Sequence, residues 1–321
     1  MRNVSELVIG GRRPSNRGRS VLAIATMLLV ACVVTIVIYG RLVAYPDPEL
    51  RIDDAPVSFD NGTLKTSGGA VEYLGELKVV TLEGSAAQVG FAHGRLLADD
   101  IGSGIARRWP AIRETIPRGG WISSWLRNAR LRWRYRLLDD GIPGHQLVEV
   151  RAIAKGAQLD DRYEDLLKVH AVADVGKPPK VSLGHDLRVI SRSLSAIAPT
   201  RDDSGDRLLV GHSISMPGLV GRPARPIIFI VKGDDAIPFA SIGTAGMAGV
   251  TTGVNAEGLA VIVHPGRTAD VRVSRKGQPA TLLARDVLEQ ARTLDEAIKV
   301  LAKAELLGSA AFLVVDGAAR K

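Results

Sequence analysis

The polar residues best spaced for chemistry lie between Val189 and Leu259. This stretch reads VISRSLSAIAPTRDDSGDRLLVGHSISMPG, then a Pro-rich turn, then FASIGTAGMAGVTTGVNAEGL. Serines and His212 sit in small-residue β segments, and a Gly-rich β segment carries one amide, Asn255. His212 offers a base or a hydrogen-bond donor, or it is simply packed beside its strand. Asn255 reads equally as the turn residue of a hairpin. His185-Asp186, close by, is a weak neighbour pair. The single cysteine, Cys32, lies in the hydrophobic N-terminal segment. The rest of the chain therefore has no disulfide, no thiolate metal cluster and no Cys nucleophile. The sequence has no Gly-rich phosphate loop and no His-Glu-x-x-His, so no cofactor or metal is expected.

The elements around these residues follow from periodicity and punctuation. Leu208-Leu209-Val210 and Pro226–Val231 read as strands, with a turn over Asp202–Asp206. Thr251–Val263 reads as a strand pair hinged at Ala256-Glu257-Gly258, and Ala310–Val315 as a last strand. Pro279–Lys303 is helical, with a fresh cap at Thr293-Leu294-Asp295-Glu296. Upstream, Val71–Leu82 alternates as strands about a turn at Gly75. Glu83-Gly84-Ser85 opens a helix whose Val89, Ala92, Leu96 and Leu97 share one face. His93 sits in that helix and reads as structural, and Gly90 and Gly94, four apart, predict close packing against another element. Pro143–Gly156 and Asp161–Val172 read as two further amphipathic helices. Trp109–Asp140 holds all four tryptophans among many arginines and reads as a packed helical pair, with a membrane-surface helix as the rival reading.

The N-terminus has a different character. Arg2, Arg12, Arg13, Arg17 and Arg19 stand against one acid, Glu6, in residues 1–19. Residues 20–40 carry no charge and match the length of about 20 residues that a bilayer-crossing helix needs. A basic flank stays in the cytoplasm, which places the bulk of the chain outside. The apolar run exceeds the roughly 7–15 residues of a cleaved signal core and favours an uncleaved anchor. Leu29-Val30-Ala31-Cys32 leaves a lipoprotein signal at Cys32 open as the alternative, and cleavage near Val43-Ala44 is a third. Residues 41–69 read as a linker, with a tight turn at Asn61-Gly62. The 321 residues suffice for one large or two ordinary domains, and the net charge of +8 comes with no nucleic-acid module.

Several pieces, in order, resemble the acyl-coenzyme A:isopenicillin N acyltransferase-like family of N-terminal nucleophile hydrolases. They are EGSAAQVGFAHGRLLADDI, LVEVRAIAKGAQLD, YEDLLKVHAVAD, RSLSAIAPTRDDSGDRLLVGHS, PFASIGTAGMAGVTTGVNAEGLAV and LLARDVLEQARTLDEAIKVL. The resemblance implies one domain over 70–321, helical over about 83–180 and β-rich over about 185–321. Its fold would be a four-layer αββα sandwich with two stacked antiparallel sheets. Such proteins cut themselves before a nucleophile whose freed α-amine, with an ordinary pKa of about 7.7–8, serves as base. The substrates implied are acyl amides or peptide-like compounds.

The family's Gly-Cys-Ser/Thr run falls on Arg192-Ser193-Leu194-Ser195. One register makes Ser193 the nucleophile after cleavage of the Arg192–Ser193 bond. The other places Leu194 there, with Ser195 after it. Gly211-His212-Ser213-Ile214-Ser215 stands where the family has Gly-Arg-Asn-x-Asp, so both charges are replaced, and Asn255 matches the oxyanion-side Asn. The family usually continues beyond Asp316-Gly317. The expectation is therefore a truncated or degenerate product, or a partner supplying strands. Two functions remain open: an amide hydrolase or acyltransferase, and a catalytically inactive homologue kept as a binding or structural membrane protein.

Overall fold

In the computed structural model of the protein, the described residues are 16–45, 47–52, 54–103, 125–126, 129, 132–133, 135–175, 192–202, 205–215, 226–265 and 276–319. The chain forms two units, Met1–Ala44 and Tyr45–Lys321. Most of the Trp/Arg-rich stretch and all of His185-Asp186 lie outside the described residues.

The first unit is helix α1, Asn16–Val43, which runs past the expected end at residue 40. Within it Ser20–Val43 is long and apolar enough to cross a membrane, a property that a signal sequence shares. Two of its hydroxyls are satisfied within the helix. The Thr26 hydroxyl donates to the Leu22 carbonyl at 2.9 Å and that of Thr35 to Ala31 at 2.8 Å. An exposed apolar helix with its hydroxyls turned onto its own backbone suits a hydrocarbon environment.

The second unit is mixed α/β. Strands β1 (Ser58–Asp60), β2 (Thr63–Thr66), β3 (Gly69–Leu74) and β4 (Leu77–Gly84) form an antiparallel meander. The β1–β2 turn uses Asn61 and Gly62, both at positive φ, and Gly75 at φ +62° turns β3 into β4. The span 41–69 is thus not all linker, because β1 and β2 extend the sheet. Their three and four residues are too short to display a period-two pattern.

Helix α2 (Ala86–Leu96) opens with a reciprocal cap between Ser85 and Gln88. Helices α3 (Gly144–Gly156) and α4 (Tyr163–Val175) follow. Strands β5 (Arg192–Asp202) and β6 (Gly205–Ser215) form a separate hairpin. Strands β7 (Ile227–Gly233), β8 (Phe239–Gly243), β9 (Thr252–Asn255) and β10 (Leu259–Pro265) rejoin the large sheet. Helices α5 (Ala280–Gln290) and α6 (Leu294–Lys303, capped by Thr293) lead to β11 (Ala310–Asp316).

The large sheet has nine strands in the order β1-β2-β3-β4-β7-β8-β9-β10-β11. Every pairing is antiparallel except β4–β7, where Val80 stands beside Phe229 in parallel register. In place of two full antiparallel sheets, the described residues hold this mixed sheet and a two-stranded hairpin. One face of the sheet carries the core. Val71, Val80, Phe229 and Val261 lie on it with Val89, Ile153, Leu282 and Leu288 from the helices, all buried. Alternation along β10 sends Leu259, Val261 and Val263 into this core, so Ala260, Ile262 and His264 take the opposite face.

Close approach of α2 to α3 depends on glycine. A Cβ at Gly90 would stand 2.3 Å from the Glu149 carbonyl oxygen, one at Gly94 2.2 Å from that of Ile153, and one at Gly156 2.3 Å from that of Phe91. The Gly90/Gly94 spacing is therefore a helix-crossing contact, as the sequence predicts.

Candidate active site

The hairpin sets its polar residues by register. Ser195 pairs with His212, Leu194 with Ser213 and Ser193 with Ile214. The half-buried Ser195 hydroxyl lies 2.9 Å from Nε2 of His264 on β10. His212 Nδ1 lies 2.5 Å from the Thr252 hydroxyl on β9. The two imidazoles meet edge to face, with centroids 5.4 Å apart. Thr252 pairs with Ile262, two residues before His264 on the same strand, so Thr252 and His264 share the face of the sheet turned away from the described core helices, where the hairpin's Ser195 and His212 meet them. Burial, with His264 nearby, holds His212 below the usual imidazole range and leaves it neutral at pH 7. A hydroxyl within hydrogen-bond reach of an imidazole nitrogen has the geometry of a nucleophile and its base.

Of the three residues singled out in the sequence, the structure brings only His212 to this cluster through described side-chain contacts. Ser193 begins β5 two residues before Ser195, and its side chain lies outside the described residues. Leu194, the alternative at the nucleophile position, is 72% exposed. Asn255 belongs to the other face. Its Nδ2 donates to the carbonyls of Leu288 (3.0 Å) and Ala291 (2.7 Å), and its Oδ1 accepts from the N–H groups of Glu257 (3.2 Å) and Leu259 (3.0 Å). The buried amide thus braces the β9–β10 turn and the end of α5, with both its donors and its acceptor in use. This is the hairpin-turn reading of Asn255. His264 escaped the sequence reading because it lies 69 residues from Ser195. Its one signal was a polar residue at the outward phase of a strand whose other phase is apolar.

A second, fully buried polar group supports the segment 244–250 that joins β8 to β9. Nε2 of His93 accepts the Gly246 N–H at 3.0 Å, and Nε2 of His170 accepts the Ala248 N–H at 2.9 Å. Arg285 donates to the Ala248 carbonyl at 2.9 Å, to Glu149 at 2.5 Å and to Glu289 at 2.8 Å. Burial pushes His93 down to about 3, with Arg285 and His170 adding to the effect. His93 therefore works as a neutral acceptor, in keeping with its structural reading.

Among the described residues, His145, Asp286 and Glu289 each bring one atom capable of binding a metal to within 4.8 Å of one another. Asp286 also accepts from Gln146 (2.7 Å) and Gln278 (2.6 Å), and Glu289 from Arg285. The hydrogen bond to Asp286 raises His145 above its usual range. These partners hold the two carboxylates in place.

Residues 224–321 match the model of the family described as "Acyl-coenzyme A:6-aminopenicillanic acid acyl-transferase". The match supports the family resemblance read in the sequence, and it covers β7 to β11, including Thr252 and His264. No curated protein matches the chain.

Proposed function

We propose that the protein is an amide hydrolase or acyltransferase acting on an acyl-amide substrate. It would be held by α1 in a membrane, with Tyr45–Lys321 on the extracytoplasmic side. The observation that carries this reading is the family match over 224–321, on whose strands β9 and β10 the hairpin's Ser195 and His212 find their partners. The five arginines before the apolar helix support the orientation. The resemblance further implies the four-layer αββα sandwich, with the β5–β6 hairpin belonging to the second sheet.

In the self-activating route of that family, the Arg192–Ser193 bond is cut. The freed α-amine of Ser193 then takes the hydroxyl proton as Oγ attacks the acyl carbonyl. His212 is a supporting polar group of this route. Asn255 enters it as an oxyanion donor only by exchanging its two bonds to Leu288 and Ala291. Intact-mass and N-terminal analysis of the membrane-purified protein, beside Ser193→Ala, tests the route. Two fragments, the second beginning at Ser193 and absent from the variant, establish it. A single chain of 34.2 kDa in both removes self-cleavage.

The second reading is an inactive homologue that binds a partner. The engaged amide of Asn255, together with the replacement of Arg and Asp by His212 and Ser215, favours it. A panel of acyl amides turned over by neither the wild type nor any variant would select this reading.

A further inference from the structure

We infer that Ser195 and His264 form a nucleophile–base pair that transfers acyl groups in the uncut chain. The inference rests on the acyl-transfer reading above and replaces only its nucleophile. Three observations carry it. First, the Ser195 hydroxyl and His264 Nε2 are 2.9 Å apart, inside the range over which a proton passes during attack. Second, both residues sit on strands, β5 and β10, whose backbone ladders fix them. Sites built on regular elements hold their geometry better than sites on loops. Third, the 5.4 Å edge-to-face contact with His212, itself tied to Thr252, limits rotation of the His264 ring. An N-terminal-nucleophile mechanism has no use for such an imidazole, because its base is the α-amine.

The steps balance without a co-reactant other than water. Ser195 Oγ attacks the carbonyl carbon of an ester or amide as its proton moves to His264 Nε2. The tetrahedral adduct collapses, and the C–O or C–N bond breaks as His264 returns the proton to the leaving alcohol or amine. Water then attacks the Ser195 ester, again giving its proton to His264. The carboxylic acid leaves and Ser195 regains its proton. The substrate class is therefore a carboxylic ester or amide.

The test uses the full chain in detergent and a fluorophosphonate probe, which phosphonylates activated serines. Label is mapped by peptide mass in the wild type and in Ser195→Ala and His264→Gln, with thermal melts to verify folding. The expected result is label on Ser195 of an uncut wild-type chain, with Ser193 unlabelled, and no label on Ser195→Ala. His264→Gln should label at least about 100-fold more slowly. Mapping on the wild type keeps the test decisive if a variant fails to fold. Label on Ser193 of a cut chain overturns the pair and supports the self-activating route. Wild-type labelling rates in folded His264→Gln reduce the 2.9 Å contact to a strut between hairpin and sheet. Acyl-amide turnover without serine label sinks the pair and leaves the acyl-transfer reading standing, whereas absence of both sinks the two together.

Discussion

The imidazole of His93 accepts the backbone N–H of Gly246 across 153 residues of sequence. The bond needs Nε2 without a proton, and burial pushes the His93 pKa down to about 3. Unfolded, the same imidazole titrates near 6.5. Between these values the unfolded chain binds the extra proton. The stabilisation is therefore complete above the unfolded value and falls as the pH drops from about 6.5 towards 3. His93→Gln keeps an acceptor and cannot titrate. The wild type should lose about 1.4 kcal/mol more per pH unit than this variant across that window. Urea midpoints at pH 7 and pH 4.5 measure the difference.

Gly94 and Gly102 should respond to alanine with opposite signs. A Cβ at Gly94 meets the Ile153 carbonyl at 2.2 Å, and backbone on both sides leaves no flexible group to yield. Gly94→Ala should cost about 1–3 kcal/mol or more. Gly102 is also helical but has nothing within 4 Å of its Cβ direction, so alanine there should be neutral or gain up to about 1 kcal/mol. Thermal melts of the two variants settle the contrast.

Removing Arg285 should be worse than removing Arg285 together with its partner. Glu149 is 1% exposed, and burial raises its carboxyl pKa against the pull of Arg285. Arg285→Met leaves that carboxylate uncompensated, at a cost of about 3–5 kcal/mol. Adding Glu149→Met should restore much of the loss. A double-mutant cycle by chemical denaturation reads the coupling, and additive losses would show that the pair is not a unit.

Asn255→Ala removes the four hydrogen bonds of a buried amide and should destabilise the fold by about 2–4 kcal/mol. Lost turnover with an unchanged denaturation midpoint would instead mark Asn255 as a purely chemical group.

Much of this was legible because its physics is local. Ser85 and Thr293 cap helices by reaching three residues ahead, Asn61-Gly62 turns on its own dihedrals, and Gly90 and Gly94 share a helix face. What stayed hidden depends on distant pairing. The face that Asn255 turns to is set by the register of β9 against β8 and β10. The meeting of Ser195 with His264 follows from where the hairpin lies on the sheet, which no local pattern encodes. The resemblance pointed to the β5–β6 hairpin but left its register open between Ser193 and Leu194.

The parallel seam between β4 and β7 has a consequence for how the chain is made. The meander β1–β4 precedes in synthesis the helices and hairpin that separate it from Ile227. Until β7 emerges, the outer edge of β4 has no strand beside it, and Val80 and Leu82, which will be buried, lack Phe229 and Val231 beside them. Such non-local closure is slow, and an open strand edge invites pairing with other chains. The interval before β7 emerges is therefore when the open edge of β4 is most available for pairing with other chains.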